Sequence, residues 1–351
     1  MLVGIYDLKD QNGKDLPVQQ AYEKILAYNG ILSVRLRVEH PGFWARARDL
    51  SLFIMRFQQY DSHLQQARDI LPIMEDALGI PCYPNKATAW HYDDKVKQYF
   101  LLKAHGFPMT ELWVFYEKKP ALEWAENTAY PVVFKLRGGA GSMNVVLVKT
   151  PRHATGLIRK MLGRGIYPEQ FLSAGTVRIK HFNLYREFHH ACGNLYRRSK
   201  GVDVSPFWNR HKNYVLFQKF LPGNECDTRI TVIGNRAFAF RRLVREDDFR
   251  ASGSGRIDYD VKKIDMRCIQ IAFQVSKRMG FQSMAYDFLV NARGEPEFCE
   301  ISYTYVSKAV RNCPGYWDSD LNWHEGHYWP EHLHLIDALG LEDLKAPELD
   351  Y

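Results

Sequence analysis

Residues Tyr130 to Val148, YPVVFKLRGGAGSMNVVLV, constrain this chain more than any other stretch. A β-branched and aromatic run (Pro131 to Arg137) leads into a glycine-rich loop (Gly138 to Asn144) and then into a second β-branched run (Val145 to Val148). A strand there turns back on itself instead of feeding a helix. Two common phosphate loops are thereby disfavoured, because no Gly-Lys-Ser/Thr closes the loop and no helix follows it. Alternation along the first run puts Lys135 and Arg137 on one face and Phe134 and Leu136 on the other. Two cations beside a loop rich in backbone N–H groups outline an anion site, most naturally for polyphosphate under a hairpin flap. A plain hairpin loop with an edge lysine is the alternative these residues leave open.

With 351 residues, 46% of them hydrophobic and 14% aromatic, the chain can bury a sizeable core in two or three subdomains. No apolar stretch follows a basic start, and no run approaches the roughly 18 apolar residues of a membrane span; the expectation is a soluble, unexported, cytoplasmic protein. Cys82, Cys192, Cys226, Cys268, Cys299 and Cys313 show no CxxC spacing, which points to reduced, buried thiols instead of a zinc or disulfide framework. The net charge of +7 is concentrated: Arg152 to Lys212 holds 12 Lys and Arg against 3 acids, a local +9 that leaves the rest near −2. An acidic substrate or polymer near this segment would explain it, as would a solvated basic surface. Its Tyr185, Arg186, His189, His190, Tyr196, Arg197, Arg198 and Lys200 interleave aromatics and cations in a way that suits nucleic acid, a glycan or an anionic headgroup. No nucleic-acid-binding motif accompanies them, so nucleic acid is disfavoured.

Taken in order, residues 1–88 read as a small, mostly parallel α/β unit. Pro17 to Tyr28 and His63 to Leu78 are helical, each stopped by a glycine, and Ile31 to Val38 and Ser51 to Phe57 are strands. No chemistry is assigned to this unit. Asp93 to His105 is a helix with acids in its first turn and Gly106 and Pro108 as its stop. Pro151 to Leu162 is a further helix. Val215 to Leu221 is a strand, and Asp227 to Ile233 with Arg236 to Leu243 forms a hairpin across Gly234-Asn235. Asp260 to Met279 shows the clearest helical periodicity, ending at Gly280. A second hairpin, Met284 to Val290 with Pro296 to Ser302, turns near Arg293-Gly294 and sets Asp287 opposite Glu300. Directly opposed carboxylates repel, so a divalent cation between them is expected; an arginine partner, or a register one residue off, would relieve them equally. With oxygen ligands only, Mg²⁺ is the expected ion beside a nucleotide.

These motifs, in this order over residues 90–305, resemble the ATP-grasp superfamily, in the branch of glutathione synthetase, D-alanine–D-alanine ligase and ribosomal-protein glutamate ligase. Lys95 resembles the first phosphate-binding lysine of that family, Lys135 in PVVFK the second, and GGAGSMN (Gly138, Gly139, Gly141 and Ser142 among its residues) the flap. Gln218-Lys219-Phe220-Leu221 is similar to the hinge that holds adenine through backbone groups, and Glu225 to the acid on the ribose hydroxyls. DTRITVIGNRAFAFRR resembles the strand pair whose arginines, here Arg229 and Arg242, face phosphate and acceptor; Arg250 in DDFRA resembles the following substrate loop. Asp287 and Glu300 match the metal carboxylates, with Ser302 at the third position. Two residues depart from the pattern: Gln218 stands where an acid is frequent, and Ser302 stands where the family has Asn, a better metal ligand than a hydroxyl.

The resemblance implies an α/β (α+β) ATP-grasp fold with a pre-ATP-grasp domain and two subdomains sandwiching ATP. Its divisions would be residues 1–88, 89–162 with the flap, 163–213 as a basic insertion, 214–310 with the metal site, and 311–351 as an aromatic C-terminal segment. It implies ATP and Mg²⁺ as cofactors, with Mn²⁺ as a possible substitute, and a reaction that joins a carboxylate to an amine through an acyl phosphate. A small-molecule or glycan carboxylate, for instance a uronic acid, is the expected acceptor. A phosphotransferase acting on an anionic acceptor, or a non-catalytic nucleotide- or polymer-binding module, are the rival readings. Oligomeric state is not set by the sequence. In the C-terminal segment His324, Glu325 and His327 lack a zinc-protease spacing, and the surrounding Trp and Tyr residues either line an acceptor pocket or pack.

Overall fold

A computed structural model defines residues 1–10, 13–139, 145–166, 192, 195, 196, 199, 209–244, 251 and 255–349. Within them the chain forms three sheets. The first contains β1 (Leu2–Tyr6), β2 (Leu32–Leu36), β3 (Leu52–Ile54) and β4 (Cys82–Tyr83) in the order β2-β1-β3-β4, all parallel. The helix Pro17–Tyr28 ends as expected, whereas the helix expected over 63–78 runs from Asp61 to Pro72 and continues as a π-helical turn, Ile73–Ala77. Pro72 has no N–H for the α-helical ladder, and the wider turn absorbs the loss.

The second sheet is a small antiparallel unit of β5 (Leu112–Phe115), β6 (Val132–Phe134), β7 (Val146–Val148) and β8 (Val215–Lys219), ordered β5-β8-β6-β7. The helix Lys95–Ala104 stands beside it, capped by Asp94, which accepts from Lys97 N at 3.1 Å. The glycine-rich hairpin is present but shorter than expected, since strand pairing stops at Phe134 and Lys135 lies just beyond it.

The third sheet carries the two predicted hairpins. β9 (Cys226–Ile233), β10 (Arg236–Leu243), β11 (Ile257–Asp258), β12 (Ser283–Val290), β13 (Pro296–Ser302), β14 (Gly315–Asp318) and β15 (Trp323–Glu325) take the order β13-β12-β9-β10-β14-β15, with β11 also on β10. The helix expected over 260–279 is split: Asp260 caps a short 3₁₀ turn by accepting from Lys262 N, and Asp265 caps the helix Met266–Met279 by accepting from Arg267 N. Two separate caps start two separate helices. The C-terminal segment is distributed, not separate: its strands extend the third sheet beyond β10, and its helix Pro330–Leu339 packs on the helix Pro17–Tyr28 of the first unit. His324 bonds Asp318 at 2.8 Å and His327 bonds the Arg311 carbonyl at 3.0 Å, so the two imidazoles do not converge.

Candidate active site

Where the second and third sheets meet, a β-bulge decides which side chains face the gap. Next to the turn Val290 pairs with Pro296 and Phe288 with Phe298, a register one residue out of step with the Asp287–Glu300 pairing. Cys299 is the extra residue between them, and it restores that pair. A bulge turns two consecutive side chains toward the same side. Cys299 therefore meets the Lys135 Nζ at 3.5 Å, while its backbone carbonyl accepts from Gln218 Nε2 at 3.3 Å. Glu300 meets the Lys95 Nζ at 3.0 Å.

Lys95 is 5% exposed and also donates to the Gly139 carbonyl at 3.0 Å. Burial works against its ammonium, but the Glu300 and Asp93 carboxylates outweigh it and raise its pKa. Asp93, in the left-handed region with φ 51°, accepts from Gly139 N at 2.8 Å and 3.0 Å. Burial pushes the Asp93 carboxyl up to about 7, with Lys95 and the Gly139 N–H opposing. This contact requires glycine at 138: a Cβ there would stand 2.5 Å from the Asp93 Oδ2. The glycine-rich loop is thus anchored at its start by an acid just ahead of the lysine helix.

Lys135 and Arg137 part company. Lys135 reaches Cys299, whereas the guanidinium of Arg137 lies 5.0 Å from the Tyr214 ring centroid and 3.5 Å from Asp94. On β8 and after it, Gln218 and Leu221 are buried, Lys219 and Glu225 are exposed, and Lys219 N donates to the Glu111 carbonyl at 2.9 Å. Gly141, Ser142 and Arg250, and the interleaved residues 185–190, 197, 198 and 200, lie outside the described residues.

The carboxylate of Asp287 is engaged by arginine. Arg229 forms a two-point pair with it, Nε–Oδ1 2.6 Å and Nη2–Oδ2 2.7 Å, and Arg242 adds Nη2–Oδ2 at 2.7 Å. Arg242 also forms a two-point pair with Asp227, at 2.7 Å and 2.6 Å. Asp227 thus pairs with Arg242, while Arg229 is committed to Asp287. Burial works to raise the Asp287 carboxyl, but Arg229 and Arg242 outweigh it and hold it well below the usual carboxylate range. For Asp227 burial wins over Arg242, and the nearby Asp287 charge adds to the rise. Both arginines, Asp287, Glu300 and Ser302 line a cavity of about 600 Å³ between the third sheet and the first unit.

A divalent cation fits part of this donor set. Each carboxylate oxygen has two lone pairs, so Asp287 Oδ1 keeps one beyond its Arg229 bond, and Glu300 is held by a lysine that a phosphate can draw away. Ser302 fits poorly: its hydroxyl donates to the Thr304 carbonyl at 2.8 Å and accepts from Thr304 N at 3.2 Å, closing a local turn. Among the described residues no group of three or more His, Cys, Asp or Glu is gathered for a metal, so such an ion would complete its shell with phosphate oxygens and water.

Sequence reasoning passed over Asp93 as a loop anchor and over Arg56. Arg56 lines the same cavity from the first unit, beside Tyr305. The signal was available: a lone cation inside an apolar run singled out Lys135 in PVVFKL, and SLFIMRF around Arg56 has the same form. The thiols are free, with Cys82, Cys268 and Cys313 buried, but Cys226 and Cys299 are half-buried and Cys192 is exposed. No helix among the described residues is long and apolar enough to cross a membrane.

No protein-family model matches the chain. In sequence, 88 of its residues are 34% identical to phosphoribosylamine–glycine ligase of Allochromatium vinosum, a match covering 25% of this chain and 21% of that protein. The fold is similar to that of a RimK domain ATP-grasp protein from Sphaerobacter thermophilus, with TM-score 0.51, 15% identity and coverage of 89% and 95% of the two chains. It is also similar to biotin carboxylase of Campylobacter jejuni, solved with a β,γ-ATP ligand, with TM-score 0.56, 10% identity and coverage of 99% and 72%. With the parallel first unit, the flap hairpin and the antiparallel third sheet in this chain order, the protein has the ATP-grasp fold.

Proposed function

We propose that this chain is an ATP-dependent carboxylate–amine ligase acting through an acyl phosphate. The observation that carries this reading is the junction at β13, where the bulge presents Cys299 to Lys135 and Gln218 and presents Glu300 to Lys95. The expected base-binding strand, both expected phosphate lysines and an expected metal carboxylate thus share one seam, with Asp287 opposite Glu300. The named relatives, which include a ligase and a carboxylase, are in keeping with it.

In this reading Gln218, Lys219 and Leu221 hold the base and Glu225 the ribose. Lys95 and Lys135, with the flap of Gly138, Gly139, Gly141 and Ser142, hold the phosphates. Lys95 exchanges its Glu300 partner for phosphate, which frees Glu300; with Asp287 it would hold Mg²⁺, for which Mn²⁺ can substitute. The ion would neutralise phosphate charge and align the chain of oxygens for transfer. Arg229 and Arg242, each fixed at two points on carboxylates, are preorganised donors beside the cavity, and preorganisation is what stabilises charge that develops during transfer. Arg250 is assigned to the acceptor side. The acceptor carboxylate takes the terminal phosphoryl group, ADP leaves, and an amine attacks the acyl carbon and displaces phosphate. A small-molecule or glycan carboxylate, such as a uronic acid, is the acceptor class this reading favours.

The test is ADP release from Mg-ATP with a panel of acidic sugars and amino acids, with and without hydroxylamine. Hydroxamate that forms only with a carboxylate acceptor and vanishes in Glu300→Ala is the expected result. ADP release without hydroxamate would instead indicate phosphoryl transfer to a hydroxyl. Absence of nucleotide binding by calorimetry would overturn the reading.

A further inference from the structure

Arg56 follows β3 in the first unit and is 7% exposed, yet its surroundings supply rings instead of counter-ions. Its guanidinium carbon lies 4.9 Å from the Tyr303 ring centroid and 5.7 Å from that of Tyr305. Its Nε is buried without a hydrogen-bond partner. Among the described residues no carboxylate forms an ion pair with it; Tyr303, Tyr22, Tyr83 and Tyr305 are the titratable groups that bear on it most. Burial disfavours the charge, but a guanidinium does not give up its proton in a protein. Ring faces return only part of what desolvation takes away.

The rings are held in place. Tyr303 donates to the Phe57 carbonyl at 2.5 Å, and Tyr305 is pinned by Ser283 at 2.6 Å and His334 at 2.7 Å. A second, independent feature lines the same wall. The helix Pro17–Tyr28 starts at Leu16 with no side-chain cap, and Leu16, Pro17 and Val18 all line the cavity beside Arg56. An uncapped helix start favours negative charge.

We propose that Arg56 and the start of this helix form a carboxylate-binding subsite on the cavity wall opposite Asp287 and Glu300. Its occupant is a carboxylate of the acceptor, and that identification rests on the ligase reading above, whereas the anion site itself stands on the geometry. A ring-backed guanidinium offers its flat fork of N–H donors edge-on, the geometry a carboxylate matches at two points. The flanking Leu16, Pro17 and Val18 suit the apolar part of an organic acid.

The experiment titrates the full chain with acetate and succinate against sulfate and chloride at matched ionic strength, with and without a saturating non-hydrolysable ATP analogue, following the thermal midpoint. Wild type, Arg56→Met and Arg56→Lys are compared. The expected result is a carboxylate-dependent rise in wild type with at least about ten-fold weaker response in Arg56→Met, since a charged hydrogen-bonding partner is lost. Arg56→Lys should restore part of it, and analogue affinity should stay within about two-fold in both variants. In buffer free of carboxylate, Arg56→Met should melt no lower than wild type, because it removes an uncompensated buried charge. An undiminished carboxylate response in Arg56→Met, no response in wild type beyond chloride, an Arg56-dependent preference for sulfate, or a lower melting point for Arg56→Met would each overturn the proposal. Loss of analogue binding with the carboxylate response intact would count against the ligase reading alone.

Discussion

The two walls of the central cavity hold their cations in opposite ways. On the third-sheet side the two arginines that line the cavity each have an acid: Arg229 has Asp287, and Arg242 bridges Asp287 and Asp227. On the first-unit side Arg56 has tyrosine rings. A buried ion pair is neutral and can wait for a ligand by exchanging partners, whereas a buried lone charge is uncompensated until a ligand arrives. The first wall suits the exchange of phosphate and metal, and the second suits the capture of an anion.

Removing one member of each pair is the sharpest way to probe this contrast. The largest effect is expected for Glu300→Ala, which deletes a proposed metal carboxylate and strands Lys95. Hydroxamate formation should fall at least about 1,000-fold, equivalent to about 4 kcal/mol of barrier; activity within ten-fold of wild type would remove Glu300 from the site. Next comes Arg242→Met, which leaves Asp287 with Arg229 and takes from Asp227 its two-point partner. Breaking a buried pair of this kind costs about 3 kcal/mol, to be read from the urea midpoint, and an unchanged midpoint would show that the network is not coupled.

Asp93 gives a pH test of the flap anchor. Its carboxyl ionises near 3.8 when unfolded and at about 7 when folded. Between those values the native state holds the extra proton, so this stabilising contribution is complete below about pH 4 and is lost as the pH rises through 7. Asp93→Asn should flatten that decline in melts recorded across this range. An identical slope in the variant would show that Asp93 titrates like a solvated acid. The smallest effect is expected for Ser302→Ala. Because the hydroxyl serves the turn with Thr304, the magnesium dependence of nucleotide binding should change by less than about two-fold, while a weakened turn hydrogen bond costs about 1 kcal/mol. A ten-fold loss of magnesium affinity would make Ser302 a ligand after all.

Much of the frame can be read from local pattern. The Gly234-Asn235 turn joins β9 to β10 as the hairpin rule requires, and Gly280 ends its helix in the left-handed conformation with φ 67°. The Asp287–Glu300 pairing was legible too, although its cause was not: the bulge at Cys299 brings the register to that pair, and nothing in AYDFLVNARGEPEFCEIS marks the extra residue. The opposed carboxylates also left two remedies open, a metal or an arginine. The structure supplies arginine to Asp287 and lysine to Glu300, and a cation remains a proposal beside them.

The sequence by itself determined the order of strands, helices and glycine turns, and with them the ATP-grasp resemblance, because period, caps and turn residues act over a few positions. Only the tertiary structure decided which charges share a counter-ion. Lys95 finds Glu300, and Arg56 finds Tyr303 and Tyr305, across more than 200 residues of chain. The energy of a buried charge depends on what stands within a few ångströms of it, and local periodicity carries no information about that neighbourhood.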